Sequence, residues 1–238
     1  MAQTVYHSAA SRGKVDLGWL KSYHTFSFGN YYNPERINFG ALRVLNDDAV
    51  DGGEGFGEHP HDNMEIISIP LKGGLKHKDS MDNIAVISDG DIQVMSAGTG
   101  IFHQEHNDDE TKAVQFLQIW IYPNQLNVEP RYDQLTLNTA DRRNKLQQIL
   151  SPGANDDGVW IYQNAWFNLG SFDKRLKTDY QIKAKGNGVY VFIINGSVKI
   201  GEQILNTRDG FGIWDTDQFT IDILEDAEFL LMEVPMSF

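Results

Sequence analysis

The feature that most restricts the fold is a succession of short apolar segments, each ended by glycine, Asp-Asn or Asp-Gly. From residue 65 the chain reads EIISIPL, a Gly73-Gly74 turn, LKHKDS, a turn at Asp82-Asn83, IAVIS, a turn at Asp89-Gly90, and DIQVMS. Segments this short and this rich in β-branched residues, punctuated by residues that accept turn geometry, predict strands of a β-sandwich or barrel. FLQIWIYP, residues 116–123, is apolar at nearly every position. It predicts a strand in the middle of a sheet, buried on both faces.

The same pattern occurs twice. EIISIPLKGGLKH with its following DGDIQVM is echoed by GVYVFIINGSVKI with DGFGIW: strand, glycine turn, strand, then an Asp-Gly turn into the next strand. An internal repeat of this length predicts two units of one topology. At 238 residues the chain is long enough for two domains of ordinary size. Apolar density falls after residue 124, and ADRRNKLQQILSPGANDDG reads as a short helix or a strand entering a loop. The expected division is therefore 1–135 for the first unit, 136–157 for a connecting segment and 158–238 for the second.

Composition removes several classes of function. A formal charge of −13 without a basic run opposes direct binding to nucleic acid, whose affinity comes mostly from Lys and Arg displacing counterions. The densest basic stretch, KGGLKHK at 72–78, reads as a hairpin turn with solvated lysines. No apolar run approaches a membrane span, and the start MAQTVYHSAASRGKVDL lacks a signal-like apolar core, so a soluble cytoplasmic protein is expected. The absence of cysteine excludes disulfides, thiolate ligands and cysteine nucleophiles.

Chemistry concentrates in the first unit. Residues 53–65, GEGFGEHPHDNME, place His59 and His61 two apart in a run entering a strand, where alternate side chains share a face. His103-Gln104-Glu105 repeats that spacing after SAGTGIF. Three imidazoles and a carboxylate suit iron, copper, nickel or zinc and leave positions open on the ion. The carboxylate has two candidates. Glu105 is one strand step from His103, whereas Glu65 is two steps from His61, about 13 Å of extended chain, and reaches the same ion only if residues 62–63 turn. Reach favours Glu105, with Glu65 as the alternative ligand or a partner behind the ligands. The second unit cannot build this site, because no histidine follows His106.

The strings HPHDNMEI (59–66), DGDIQVMSAGTGIFHQE (89–105), QIWIYP (118–123) and EPRYDQ (129–134) resemble the pirin family of the cupin superfamily. The resemblance is strong over residues 15–135, and the second half fits through the duplication. Ser96 replaces the proline of many cupins, and four residues separate Gly98 from His103 rather than two, both as in pirins. It implies an all-β bicupin: two tandem β-barrels of the double-stranded β-helix type with short helices or loops between. It also implies one divalent ion, Fe(II) before Cu, Ni, Zn or Mn, held by His59, His61, His103 and Glu105. Some pirin-like proteins cleave quercetin with O₂, which implies a flavonol-like aromatic substrate, with Glu105 as the base that takes its proton and Glu65 as substitute. Phe26, Phe28, Phe56, Met64, Phe102 and Trp120 are the expected pocket wall. Other pirins act as regulators, so the alternative is a non-enzymatic, metal-binding interaction module whose protein partner the sequence does not name.

Overall fold

The computed structural model describes residues 2–238, and among them the only helices are two 3₁₀ turns, Ala9–Ser11 and Thr139–Arg142. No helix is long and apolar enough to cross a membrane. Everything else regular is strand, arranged as two units. Each unit is a seven-stranded sheet facing a four-stranded one, rather than one closed barrel.

The two units share one strand order in the small sheet and in the five inner strands of the large sheet, and differ at the large sheet's edges, where Gly13–Asp16 pairs antiparallel but Val159–Trp160 parallel. In the first unit the large sheet runs Arg131–Thr136, Asp91–Ser96, Glu65–Lys72, Val114–Ile121, Leu42–Val50, Leu20–His24, Gly13–Asp16, and the small one Gly55–His61, Ile101–Asn107, Gly74–Asp79, Ile84–Ser88. In the second unit the large sheet runs Gln3–His7, Gly210–Trp214, Asn187–Asn195, Ala227–Pro235, Trp166–Phe172, Leu146–Ser151, Val159–Trp160. Its small sheet is Lys177–Gln181, Gln218–Ile223, Ser197–Ile200, Gln203–Asn206.

Two boundaries differ from the sequence-based division. Gln3–His7 pairs antiparallel with Gly210–Trp214, so the N-terminal strand completes the second unit. Leu146–Ser151, expected in the connector, pairs with Trp166–Phe172 and belongs to that same sheet. Gln3–His7 is an edge strand whose partner is distant in sequence, and local pattern carries no information about such pairing; Leu146–Ser151 lies inside the sheet and pairs with strands that follow it closely in sequence.

The strand Val114–Ile121 lies between Glu65–Lys72 and Leu42–Val50, as its apolar run predicts. Its alternation separates two cores. Leu117 and Ile119 join Ile67 and Ile69 in a cluster that also contains Ile149, Leu150, Phe167, Leu230 and Met232 of the second unit. This outward face therefore cements the two units together. Residues of the other parity, Phe116, Gln118 and Trp120, point between the sheets of the first unit, where the site lies.

Candidate metal centre

His59 and His61 stand on the small sheet, and antiparallel pairing brings His103 directly opposite His59 and Ile101 opposite His61. A β-bulge follows, with Glu105 pairing with Phe56. The extra residue on the histidine strand kinks it, and the Gly57 carbonyl oxygen accepts from the His59 Nδ1–H at 2.8 Å, leaving Nε2 turned inward. The three rings meet with centroid separations of 4.4 to 4.9 Å. One donor atom from each of His59, His61 and His103 lies within 4.8 Å of the others.

His103 is the most deeply placed of the three, at 2% exposure, and neither of its ring nitrogens has a hydrogen-bond partner. Burial, and then repulsion from His59, His61 and His77, lowers its pKa to about 2; burial lowers His61 to about 4. Both rings are thus neutral near pH 7, the state in which imidazole donates to a metal. A buried nitrogen without a partner is costly, and a cation at the meeting point of the three rings removes that cost. The residues present fit a divalent ion.

Glu105 is buried between the sheets beside this triad. The Ser68 hydroxyl lies 3.2 Å from Glu105 Oε1 and 3.1 Å from Gln118 Oε1, and its single proton serves one of them at a time. Burial raises the carboxyl to about 7 against the Ser68 hydrogen bond, and the nearby Asp48 adds to the rise. Its nearest set of potential donors is not the histidine triad but His103 together with His77.

His77 is the residue that sequence reading missed. KGGLKHK is a hairpin whose lysines are exposed, as expected, with Gly73 at φ 81° in the turn. Strand alternation, however, puts Leu75, His77 and Asp79 on the inner face, and His77 is fully buried opposite Glu105. That alternation was the signal.

Glu65 does not reach the centre. Asn63 adopts a left-handed φ of 46°, its amide bonds the Gly98 carbonyl, and its Oδ1 accepts from the Asn127 N–H. The chain turns there and delivers Glu65 into the large sheet, on the face of Ile67 and Ile69, toward the second unit. Its Oε2 accepts from the Ser96 hydroxyl at 2.6 Å, while Arg131, stacked 3.9 Å over the Trp160 ring, stands nearby. Burial raises its carboxyl to about 7, opposed by Ser96, Arg131 and the Tyr162 backbone. Glu65 is a group of the seam between the units.

The expected aromatic wall divides likewise. Trp120 meets the edge of His61 at 4.9 Å, and Phe28 meets Trp120 at 5.2 Å. Met64 packs with Trp120, Ile66 and Met95 close by. Phe26 instead packs on Tyr190 in the core between the units, and Phe56 lies below the bulge against Trp19. Phe102 has the opposite parity to His103, and is half exposed on the outer face. In the second unit, the interior positions of the corresponding strands carry Tyr180, Phe219 and Ile221, a wholly different lining.

The family model described as Pirin matches residues 5–121, and that described as Quercetinase C-terminal cupin domain matches residues 148–234. The quercetin 2,3-dioxygenase of Escherichia coli (strain K12) is 40% identical over 227 residues, covering 95% of this chain and 96% of that protein. A pirin-like protein of Caulobacter vibrioides is 39% identical over 222 residues, covering 93% and 95%. The crystal structure of the bacterial pirin YhhW from Escherichia coli in complex with nickel(II) shares 38% identity and a TM-score of 0.93, covering 98% of this chain and 99% of that one. Matched in both halves and over nearly its full length, with the duplicated cupin-like architecture and the histidine cluster in the first unit, this chain belongs to the pirin family.

Proposed function

We propose that the protein is a divalent-metal-dependent dioxygenase that opens a flavonol such as quercetin with O₂, and that the ion is Fe(II). The observation that carries the reading is the convergence of His59, His61 and His103 around His103's two buried, partnerless nitrogens, with the buried Glu105 alongside. The relative from Escherichia coli named quercetin 2,3-dioxygenase supports the reaction class.

His59, His61 and His103 would hold the ion, with Glu105 beside them as the fourth candidate ligand. Bound there, the ion supplies a Lewis acid and a route for electrons between aromatic substrate and O₂. The remaining work belongs to side chains. Burial raises the Glu105 carboxyl, a cation bound beside it would favour its ionised form, and that carboxylate would take a proton from a flavonol hydroxyl onto Oε. Trp120 and Phe28 form an apolar edge beside His61 that orients a flat ring and excludes water.

The test is to purify the protein anaerobically, load it with Fe(II), and follow O₂ uptake and carbon monoxide release with quercetin. Wild type turns over and His103→Ala, folded by circular dichroism, neither retains metal nor consumes O₂. Metal-loaded wild type that leaves flavonols intact sinks the enzymatic reading in favour of a metal-binding interaction module.

A further inference from the structure

A cleft of about 820 Å³ opens on the side of the second unit, between the edge strand Gln3–His7 of its large sheet and the hairpin Ser197–Ile200, Gln203–Asn206 of its small one. That volume is in the range of small-molecule sites. The cleft lies in the unit opposite the histidine cluster, and nothing in the proposed reaction uses it.

The duplication explains why the space is open. In the first unit the corresponding hairpin is longer: Gly74–Asp79 pairs with Ile101–Asn107 from Leu75 through Asp79, and Met81 in its turn packs against Ile66, Met95 and Ile101. Gln134 of the edge strand then spans the gap, its Nε2 donating to the Val86 carbonyl of the hairpin at 3.0 Å. In the second unit Ser197–Ile200 pairs with Gln218–Ile223 only at Val198, Lys199 and Ile200. Gln218, Phe219 and Thr220 therefore run past the Gly201-Glu202 turn without a strand partner on that side. The Gln3 and Tyr6 side chains bond Asp215 and Asp209 rather than the hairpin. A shortened hairpin thus uncovers space that the first unit fills.

The lining fixes the chemistry of what fits. Ile200, Phe211, Ile213 and Phe219, all members of the second unit's core, form an apolar floor. Tyr6 is paired with Phe211 across the sheet, and the bond from its hydroxyl to Asp209 holds its ring in place as a wall. Around them stand Thr4, Thr216, Thr220, Gln203 and Gln218, neutral side chains that each donate and accept. The charged groups of the lining leave no net charge aimed inward. Lys177 and Asp222 pair with each other at 2.6 Å, and the Glu202 side chain is fully exposed on the turn. An ion entering this cleft would lose hydration without gaining a counter-charge. A flat ring gains the aromatic floor, and hydroxyl groups on it gain the polar rim.

We propose that this cleft is a second small-molecule site, separate from the metal centre, for a neutral aromatic compound bearing hydroxyl groups. Its ligand is held by Tyr6, Phe211 and Phe219 through ring contacts and by the threonine and glutamine rim through hydrogen bonds.

The probe is resveratrol, a flat neutral phenol without the adjacent pair of oxygens that chelates a metal. It is titrated at pH 7 into nitrogen-15-labelled protein in the presence of diamagnetic Zn(II), and amide shifts are followed by NMR. Shifts at Thr4, Tyr6, Gly201, Gln203 and Phe219 move together and saturate. Thr4→Trp fills the cleft from the exposed edge strand and Thr220→Arg from the opposite wall, and each weakens binding by at least about tenfold; either serves if the other does not fold. The anion 4-hydroxybenzoate binds at least about tenfold more weakly than resveratrol. Absence of saturating shifts at the solubility limit, shifts confined to the first unit, unchanged affinity in the folded variants, or an anion bound as tightly as resveratrol each overturns the second site. None of these results bears on O₂ uptake at the metal centre, which tests the proposed function separately.

Discussion

Asp48 is a buried acid that the proposed chemistry does not require, and its replacement by asparagine makes the sharpest test of the electrostatics beneath the site. It sits on the inner face of Leu42–Val50, paired across the sheet with Ser22 on one side and Phe116 on the other, and its Oδ1 has no partner. Burial raises its pKa from 3.8 to about 7, opposed by a hydrogen bond with Ser22 and reinforced by Asp47. Between those two values the folded chain holds more of this proton than the unfolded chain, so stability is lost as pH rises. The contribution is complete below 3.8, declines through the interval and is flat above about 7. At about 1.4 kcal/mol for each pH unit, the ionised side chain costs up to about 4 kcal/mol at pH 8, less where water reaches the group. Urea unfolding of metal-free wild type and Asp48→Asn at pH 4.5, 6 and 8 reads this contribution together with the smaller one that Asp48 exerts on Glu105. The variant gains on wild type steadily with pH and is the more stable protein at pH 8. Because Asp48 also raises Glu105, half-maximal Ni(II) uptake shifts to lower pH in the variant. A stability difference that does not change with pH refutes the argument.

Glu105→Gln lowers divalent-metal affinity by at least about 10-fold, whereas Glu65→Gln leaves it within about threefold and changes stability instead, because Glu65 faces Ser96 and Arg131 in the seam; metal titration and urea unfolding on the same samples give the ranking, and an equal loss of metal would return Glu65 to the centre. In the second unit, buried Glu233 accepts hydrogen bonds from Tyr180 Oη at 2.8 Å, the Lys183 and Ala184 amides at 3.0 Å and Asn187 Nδ2 at 2.9 Å. Tyr180→Phe removes one of these and costs about 1 to 3 kcal/mol in urea unfolding. Its metal content stays at the wild-type level, which dialysis followed by elemental analysis checks.

The sequence by itself determined the class of fold. Period-two alternation and turn residues specify strands because each acts within a few neighbours, and the echo of EIISIPLKGGLKH in GVYVFIINGSVKI exposed the duplication. It also determined that His59 and His61 share a face and that His103 and Glu105 share one, since spacing along one strand fixes parity. Only the tertiary structure decided which faces meet. It bends the chain at Asn63 so that Glu65 leaves for the seam, and inserts the bulge that opposes Glu105 with Phe56. It sends Gln3–His7 to a strand about two hundred residues away. His77 shows both halves of the division. Its inward parity was written in LKHKD, but the Glu105 carboxylate and His103 ring that make that parity matter stand on another strand, and the register joining the two is set by the packing of the whole unit.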